Sequence, residues 1–208
     1  MQARYPENIV LLVEGLVGPL DDDDALRWMR ERAESSRSRA NVPHALVYRK
    51  KRSSGTLAKP RFISVFETPD PDAAYAALAA PYDHVALRPL AIGSFELLAG
   101  LPRVDAAEPD GGLMVGITNC TNPADEDDFN DWYNRVHAAD VIKSPYFWNT
   151  QRYRKLDGDL AEYAALYETS LGGSEALKNY MTWPERVSEM HPRITNVHVW
   201  SFDFFAAL

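Results

Sequence analysis

The chain of 208 residues carries one order of sequence signals twice, and this duplication limits its fold more than any single motif does. Ile9 to Val13 resembles Leu113 to Ile117, and further segments match in the same order at nearly constant spacing. The further matches are Asp24 to Trp28 with Asp128 to Trp132, Tyr48 to Lys50 with Tyr153 to Lys155, Val65 to Thr68 with Leu166 to Thr169, and Ser94 to Ala99 with Ser201 to Ala206. The chain is therefore predicted to hold two copies of one unit, residues 1–104 and 105–208, joined by the Pro/Asp/Gly-rich stretch Leu101 to Gly112.

Each copy is predicted to have the element order βαββαβ of a ferredoxin-like unit. In the second copy, the acidic cluster Asp125 to Asp128 is typical of a helix N-terminus, and Asp157-Gly158 is typical of a hairpin turn. The predicted strands lie near 9–16, 44–52, 60–68, 90–99, 113–120, 147–154, 162–168 and 196–205, and the predicted helices near 22–34, 71–79, 129–140 and 174–180.

Bulky apolar side chains on both faces of the strands predict how the two copies combine. A sheet with one wet face alternates apolar and polar residues, whereas Val199, Trp200, Phe202 and Phe204 put large groups on both faces of the last strand. Such strands suit a sheet that is covered by helices on one side and by the sheet of the other copy on the other. The predicted fold class is therefore α+β, with two tandem ferredoxin-like repeats forming one intramolecular barrel.

The second copy also contains a recognisable segment, Phe129-Asn-Asp-Trp132-Tyr133-Asn-Arg-Val-His137. It resembles the aromatic-x-x-Trp-Tyr-x-x-x-His segment of ethyl tert-butyl ether degradation-type (EthD-like) proteins in the dimeric α+β barrel superfamily. That superfamily includes muconolactone isomerase, cofactor-free anthrone monooxygenases and polyketide cyclases. The resemblance implies a single-chain pseudo-dimer with a pocket between helices and sheet in one or both halves, and it does not imply one reaction.

Composition excludes several classes of partner. With 22 Lys+Arg against 30 Asp+Glu the net charge is −8, and without a clustered basic face nucleic acid is not expected as a partner. No apolar run approaches the length of a membrane span, so no membrane association is expected. The single cysteine, Cys120, cannot form an internal disulfide, which fits a cytoplasmic location. The expected oligomeric unit is a pseudo-dimer within one chain, and a homodimer of it stays open.

Differences between the copies indicate where chemistry lies, because repeated units share what the fold needs. His137 is aligned with Ala33, and Asp140 with Ser36. A helix of 3.6 residues per turn puts Phe129, Trp132, Tyr133, Val136 and Asp140 on one inward face, with His137 within reach of Asp140. A carboxylate bonded to one ring nitrogen fixes the tautomer and raises the basicity of the other nitrogen. His137 is therefore the expected general base and Asp140 its orienting carboxylate.

The last strand supplies the second candidate. His198 and Trp200 are aligned with Ala91 and Gly93 of the first copy, and they share one face of the strand by its period of two. If that face lies under the helices, His198 lines the same cavity as His137 and is the expected acid or oxyanion partner. If it faces the other sheet, Trp200 fills the space above Ala91 and Gly93. The same small residues could equally hollow out a pocket in the first copy.

These residues favour a cofactor-independent enzyme that acts on a hydrophobic or aromatic small molecule by proton transfer, of isomerase, cyclase or lyase type. No nucleotide fingerprint is present, so no cofactor and no metal are expected. A cofactor-free oxygenase of the anthrone type, a hydrophobic-ligand or haem-binding module, and a two-His-one-carboxylate iron site from His137, His198 and Asp140 stay open as alternatives. The expected substrate-binding residues are Trp132, Tyr133, Trp148, Tyr153, Tyr167 and Trp200.

Overall fold

The structure is a computed structural model that describes residues 8–16, 21–50, 60–80, 86–102, 111–186 and 189–208. The first half contains β1 (Ile9–Leu16), α1 (Asp22–Arg37), β2 (His44–Arg49), β3 (Phe62–Glu67), α2 (Pro71–Leu78) and β4 (Leu87–Pro102). The second half contains β5 (Gly112–Cys120), a 3₁₀ turn (Pro123–Asp125), α3 (Glu126–Trp132), a π-helical turn (Tyr133–His137), α4 (Ala138–Lys143), β6 (Phe147–Gly158), β7 (Tyr163–Thr169), α5 (Gly173–Met181) and β8 (Ile194–Ala207). The predicted mixed α+β composition is confirmed.

The helices of the first half begin where acidic side chains cap them. The Asp21 carboxylate accepts a hydrogen bond from the Asp24 backbone N–H at 2.8 Å. Asp70 caps α2 in the same way, with Pro71 in the first turn, where a missing N–H is harmless. None of the helices in the described ranges is long and apolar enough to cross a membrane.

The strands of the two halves are arranged in the same order. In the first half β1 lies between β3 and β4, and β2 pairs with β3. In the second half β5 lies between β7 and β8, and β6 pairs with β7. Every strand pair whose register the structure describes is antiparallel. The complete order of hydrogen-bonded neighbours, β1-β3-β2-β8-β5-β7-β6-β4, closes into a barrel, as the sequence predicts.

The chain divides into two compact units. The amino-terminal unit comprises Glu7–Glu96, Lys155–Leu160 and Phe204–Leu208, and the carboxyl-terminal unit includes Leu97–Arg154 and Ala161–Asp203. The long strands β4, β6 and β8 therefore each contribute residues to both units. Most of the predicted linker lies outside the described residues, because 103–110 are not among them.

Candidate active site

An irregular helix carries the candidate base. The acidic first turn of α3 favours a helix start by the helix dipole, and the chain then widens into the π-helical turn Tyr133–His137 before α4 continues. In this turn the Ala138 backbone N–H donates to the carbonyl of Tyr133, five residues earlier. Single π turns of this kind occur frequently at functional sites.

The π turn corrects one prediction from the regular helix period. A spacing of 3.6 residues puts Val136 on the inward face, but its side chain is 47% exposed. The wide turn holds one more residue than an α-helical turn, so the faces before and after it are out of phase. Tyr133, at the start of the turn, is buried, and His137, at its end, is half-buried.

The His137 ring lies between two aromatic rings. It stacks on Trp132 with a centroid distance of 5.1 Å, and it meets Tyr133 edge to face at 4.8 Å. Its Nδ1 is buried without a hydrogen-bond partner. Burial, and secondarily the Arg152 guanidinium, lower the pKa of His137 to about 4, against a smaller raising effect of Asp140. His137 is therefore neutral at pH 7, with neither ring nitrogen engaged by a described protein group.

The predicted hydrogen bond between His137 and Asp140 is not formed. The Asp140 carboxylate instead accepts from Nζ of Lys143 at 2.6 Å, on the exposed side of α4. After the π turn, Asp140 is one helical turn from a lysine of opposite charge, and this local pairing takes the carboxylate. Asp140 acts on His137 through its charge rather than by holding the ring.

A second imidazole, which the sequence reasoning missed, packs on the same indole. His191 lies 5.3 Å from Trp132, measured between ring centroids. Its Nε2 lies 3.1 Å from an Asp128 carboxylate oxygen, and its Nδ1 accepts the Arg193 backbone N–H at 3.2 Å. With both nitrogens engaged, His191 is suited to hold Trp132 in place rather than to exchange protons. Asp128 and His191 are distant in sequence, so no local pattern pairs them.

The most informative residue that sequence reasoning missed is Arg152. It lies on β6 opposite Ala165 of β7, on the sheet face that the π turn covers, and is 1% exposed. Its Nη1 donates to the Asn134 side-chain carbonyl at 2.8 Å and its Nη2 to that of Asn130 at 2.9 Å. Its guanidinium carbon lies 4.0 Å from the centre of the Tyr133 ring, a cation–π distance.

No carboxylate pairs directly with Arg152 among the described residues, and its buried Nε has no hydrogen-bond partner. Buried charges in proteins are ordinarily paired, so a buried guanidinium with neutral amide partners is exceptional. Burial lowers the pKa of Arg152, but arginine stays protonated at physiological pH. The site therefore holds a positive charge that an anionic ligand or intermediate can neutralise.

Three tyrosines complete the surroundings of this charge. The Tyr167 hydroxyl donates to the Tyr133 hydroxyl at 3.0 Å, and burial raises the pKa of both phenols. The Tyr163 hydroxyl accepts from the Asn130 amide at 3.0 Å and donates to the Glu126 carboxylate. Burial and the Glu126 carboxylate raise the pKa of Tyr163 to about 12, so all three phenols are neutral at pH 7.

The register of the sheet places His198 and Trp200 on its other face. Tyr167 contacts the π turn, and the register aligns Tyr167 with Met114 and Met114 with Ser201. Ser201 is therefore on the helix side, while Trp200 and His198 project from the opposite face. His198 is exposed and stacks on Trp200 at 4.6 Å. The structure does not bring His198 into contact with His137.

The other predicted substrate-binding residues do not all lie on the sheet face that carries Arg152. Trp132 and Tyr133 contact the His137 ring. Tyr133 also lies under the Arg152 guanidinium, and Tyr167 is hydrogen-bonded to Tyr133. Tyr153 is buried and follows Arg152 on β6, so it projects from the opposite sheet face. Trp148 lies in the bulge where the register of β6 against β7 shifts, and its buried indole N–H has no hydrogen-bond partner among the residues that the structure describes. The described residues contain no group of three or more His, Cys, Asp or Glu side chains that could hold a metal ion.

The unusual titration of His137 predicts how stability depends on pH. The unfolded chain binds the imidazole proton below pH 6.5, whereas the folded chain binds it only near pH 4, so stability is lost as pH falls through this window. We expect the free energy of unfolding of the wild type to drop by about 3 kcal/mol more than that of His137→Gln between pH 7 and pH 4. Urea unfolding at several pH values measures this difference, and parallel pH profiles for the two proteins would contradict it.

Comparisons with known proteins support the fold. No protein-family model matches the sequence, and no curated protein matches it. Among solved structures, an anthrone oxidase-like protein is similar with a TM-score of 0.61 and 11% identity, over 97% of this chain and 92% of that chain. A candidate chlorite dismutase is similar with a TM-score of 0.56 and 13% identity, over 96% of this chain and 95% of that chain.

A candidate monooxygenase from Fusobacterium nucleatum subsp. nucleatum is also similar, with a TM-score of 0.55 and 6% identity, over 97% of this chain and 94% of that chain. The chain therefore shares its fold with these three proteins, and the low identities show the fold alone.

Proposed function

We propose that the chain is a cofactor-independent enzyme in which neutral His137 removes a proton from a C–H acid, and Arg152 stabilises the resulting enolate. The observation that carries the proposal is an imidazole and a buried guanidinium in the same site, the first without a hydrogen bond and the second without a carboxylate partner from the described part of the chain. A hydrophobic or aromatic small molecule fits the aromatic rings around His137 as substrate.

The low pKa of His137 and the charge of Arg152 are linked in this proposal. Arg152 contributes to lowering the pKa of His137, which keeps the imidazole unprotonated at neutral pH. As negative charge develops on the substrate oxygen beside Arg152, the two charges offset each other, and the proton on His137 becomes less unfavourable. A preorganised cation in a water-poor site stabilises such charge more effectively than water does.

An arginine of the amino-terminal unit gives a contrast that supports a functional reason for leaving the Arg152 charge without a carboxylate. There, the buried carboxylate of Glu14 is bound by both Nη atoms of Arg32, at 2.8 Å and 3.0 Å. The chain thus neutralises the partly buried Arg32 with a bidentate carboxylate and leaves the buried Arg152 with two side-chain amides. Return of the proton from His137 to another carbon or a leaving group gives isomerisation, cyclisation or elimination.

A second candidate function uses the same first step. If oxygen reaches the enolate, the enzyme is a cofactor-free oxygenase, and the fold similarity to an anthrone oxidase-like protein favours this variant. The balanced reaction for anthrone consumes one O₂, forms anthraquinone and releases one water. The two hydrogens lost from the methylene carbon leave in the water, so no external reductant is needed.

The evolutionary origin of the chain, its family relationship, its location and its partners are also proposals. The shared strand order of the two halves supports an origin by duplication of a ferredoxin-like unit, residues 1–104 and 105–208. The segment from Phe129 to His137 supports a relationship to the ether-degradation branch. A cytoplasmic location and the absence of a nucleic-acid or membrane partner follow from composition as expectations, and a homodimer of the pseudo-dimer stays open.

Exchange of C–H protons tests the proposal. Anthrone and related aromatic ketones, incubated without oxygen in D₂O with the protein, are expected to exchange their acidic hydrogens faster than with imidazole at the same concentration, followed by NMR. Oxygen consumption with formation of anthraquinone in air identifies the oxygenase, whereas exchange without oxygen uptake identifies the proton-transfer enzyme. No acceleration for any ketone of the panel would argue against both.

A further inference from the structure

The amino-terminal unit contains a cavity that the proposed reaction does not use. Its volume is about 260 Å³, and it lies between the carboxyl end of α2 and strand β4. Apolar residues, among them Leu12, Leu78, Leu90 and Ala91, form most of its described lining, and Asp159 is the one charged residue among the described residues that line it. An apolar cavity of about 150 Å³ holds one benzene molecule, so this cavity has room for a ring with a short chain.

Asp159 is held in place by the hairpin between β6 and β7. Gly158 has a φ of 105°, and a Cβ at this position would lie 2.3 Å from the Ile92 carbonyl oxygen, so the close approach to β4 requires glycine. The Asp159 backbone N–H donates to that same carbonyl at 3.0 Å. The backbone of Asp159 is therefore fixed at the edge of the cavity that this residue lines.

The electrostatic surroundings favour a cation. The Asp159 carboxylate makes no hydrogen bond or ion pair with another side chain of the described ranges. The Lys155 ammonium donates instead to the Leu160 carbonyl at 2.9 Å. The last turn of α2, which ends at the cavity, carries no basic residue, so the negative end of its dipole is uncompensated. Burial, and secondarily the Asp157 and Asp159 carboxylates, raise the pKa of Tyr75 on α2, so both negative charges act on this helix.

We propose that this cavity binds a small organic ammonium ion, with its apolar body under α2 and its ammonium group at Asp159. The apolar lining supplies affinity for the body of the ligand, and the carboxylate with the helix terminus selects the charge. The site is separate from His137 and Arg152, which belong to the other unit, so its occupancy does not depend on the proposed function.

Isothermal titration calorimetry of the full chain with 2-phenylethylammonium, 2-phenylethanol and 3-phenylpropionate tests the proposal. We expect the ammonium to bind about tenfold more tightly than the alcohol of nearly equal shape, and the carboxylate not to bind detectably. Asp159→Asn is expected to remove the preference for the ammonium while keeping the weak binding of the alcohol. Asp72→Asn, which removes the same charge from the exposed first turn of α2, is the matched control and should keep the preference.

A cavity-filling variant locates the binding. Ala91→Phe puts a ring into the cavity and should abolish binding of both the ammonium and the alcohol, with circular dichroism and the melting temperature showing that the fold is kept. Equal affinity for the ammonium and the alcohol, an unchanged preference in Asp159→Asn, or full binding by folded Ala91→Phe would each overturn the proposal. So would an equal loss of the preference in Asp72→Asn and Asp159→Asn, because it would show a general charge effect.

Discussion

His137→Ala is expected to lower the protein-dependent rate of C–H exchange in anthrone by about 10²–10⁴-fold, the usual contribution of a positioned base. The imidazole is the neutral group at pH 7 whose ring nitrogens are unengaged beside the Arg152 charge. Without this imidazole, Arg152 can still stabilise an enolate, but the proposed base that removes the proton to form it is gone. The initial rate of deuterium incorporation, measured by NMR without oxygen, gives the effect directly.

His44→Ala is the matched control for this substitution. His44 is an exposed histidine at the start of β2, in the amino-terminal unit, and its removal should leave the exchange rate unchanged. His198→Ala tests the assignment made from sequence, because its exposed ring on the opposite sheet face predicts a much smaller loss than that of His137→Ala. An exchange rate in His137→Ala equal to that of the wild type would remove His137 from the mechanism.

Arg32→Met is expected to lower the free energy of unfolding by about 3–5 kcal/mol, because it leaves the Glu14 carboxylate buried and unpaired. The Glu14 side chain is fully buried and receives two hydrogen bonds from the Arg32 guanidinium. Methionine replaces much of the packed volume of arginine, so the loss reports the uncompensated charge rather than a cavity. Equilibrium unfolding in urea measures the change.

Arg152→Met should behave differently, although this arginine is the more deeply buried of the two. Its loss removes the free-energy cost of burying an unneutralised charge. This gain offsets the cost of leaving the Asn130 and Asn134 side-chain carbonyls without their donor. We expect a free energy of unfolding within about 1 kcal/mol of the wild type, together with loss of C–H exchange. A destabilisation as large as that of Arg32→Met would instead indicate that Arg152 serves the fold.

The barrel and the mixed α+β composition were predictable because the patterns that indicate strands and helix starts depend on local sequence. The runs at 9–16 and 113–120 became central strands β1 and β5, and the acidic residues before α1 and α3 mark the helix starts. The apolar residues on both faces of the last strand correctly indicated a closed barrel. Each of these features depends on neighbours in sequence or on alternation along one strand.

The site was only partly predictable because its decisive contacts join distant segments. His137 and its aromatic neighbours Trp132 and Tyr133 lie in one segment and were identified. The π turn was not, because no residue pattern distinguishes it from a regular helix, and it separates Asp140 from the ring. Arg152 looks like an outward-facing charge in a strand, and only the register against β7 shows that it lies under the helix.

The wide turn at Tyr133–His137 also has an evolutionary consequence. It accommodates one residue more than the regular helix on either side, so the loss of a single codon in this stretch would restore uninterrupted α-helical winding. Successive residues of an α-helix are rotated by about 100°, so such a deletion would turn the imidazole away from Trp132 without disturbing the barrel strands. On the proposed function, homologues that retain the barrel but lack this one residue should lack the proton transfer assigned to His137, and the length of this segment should separate the two groups.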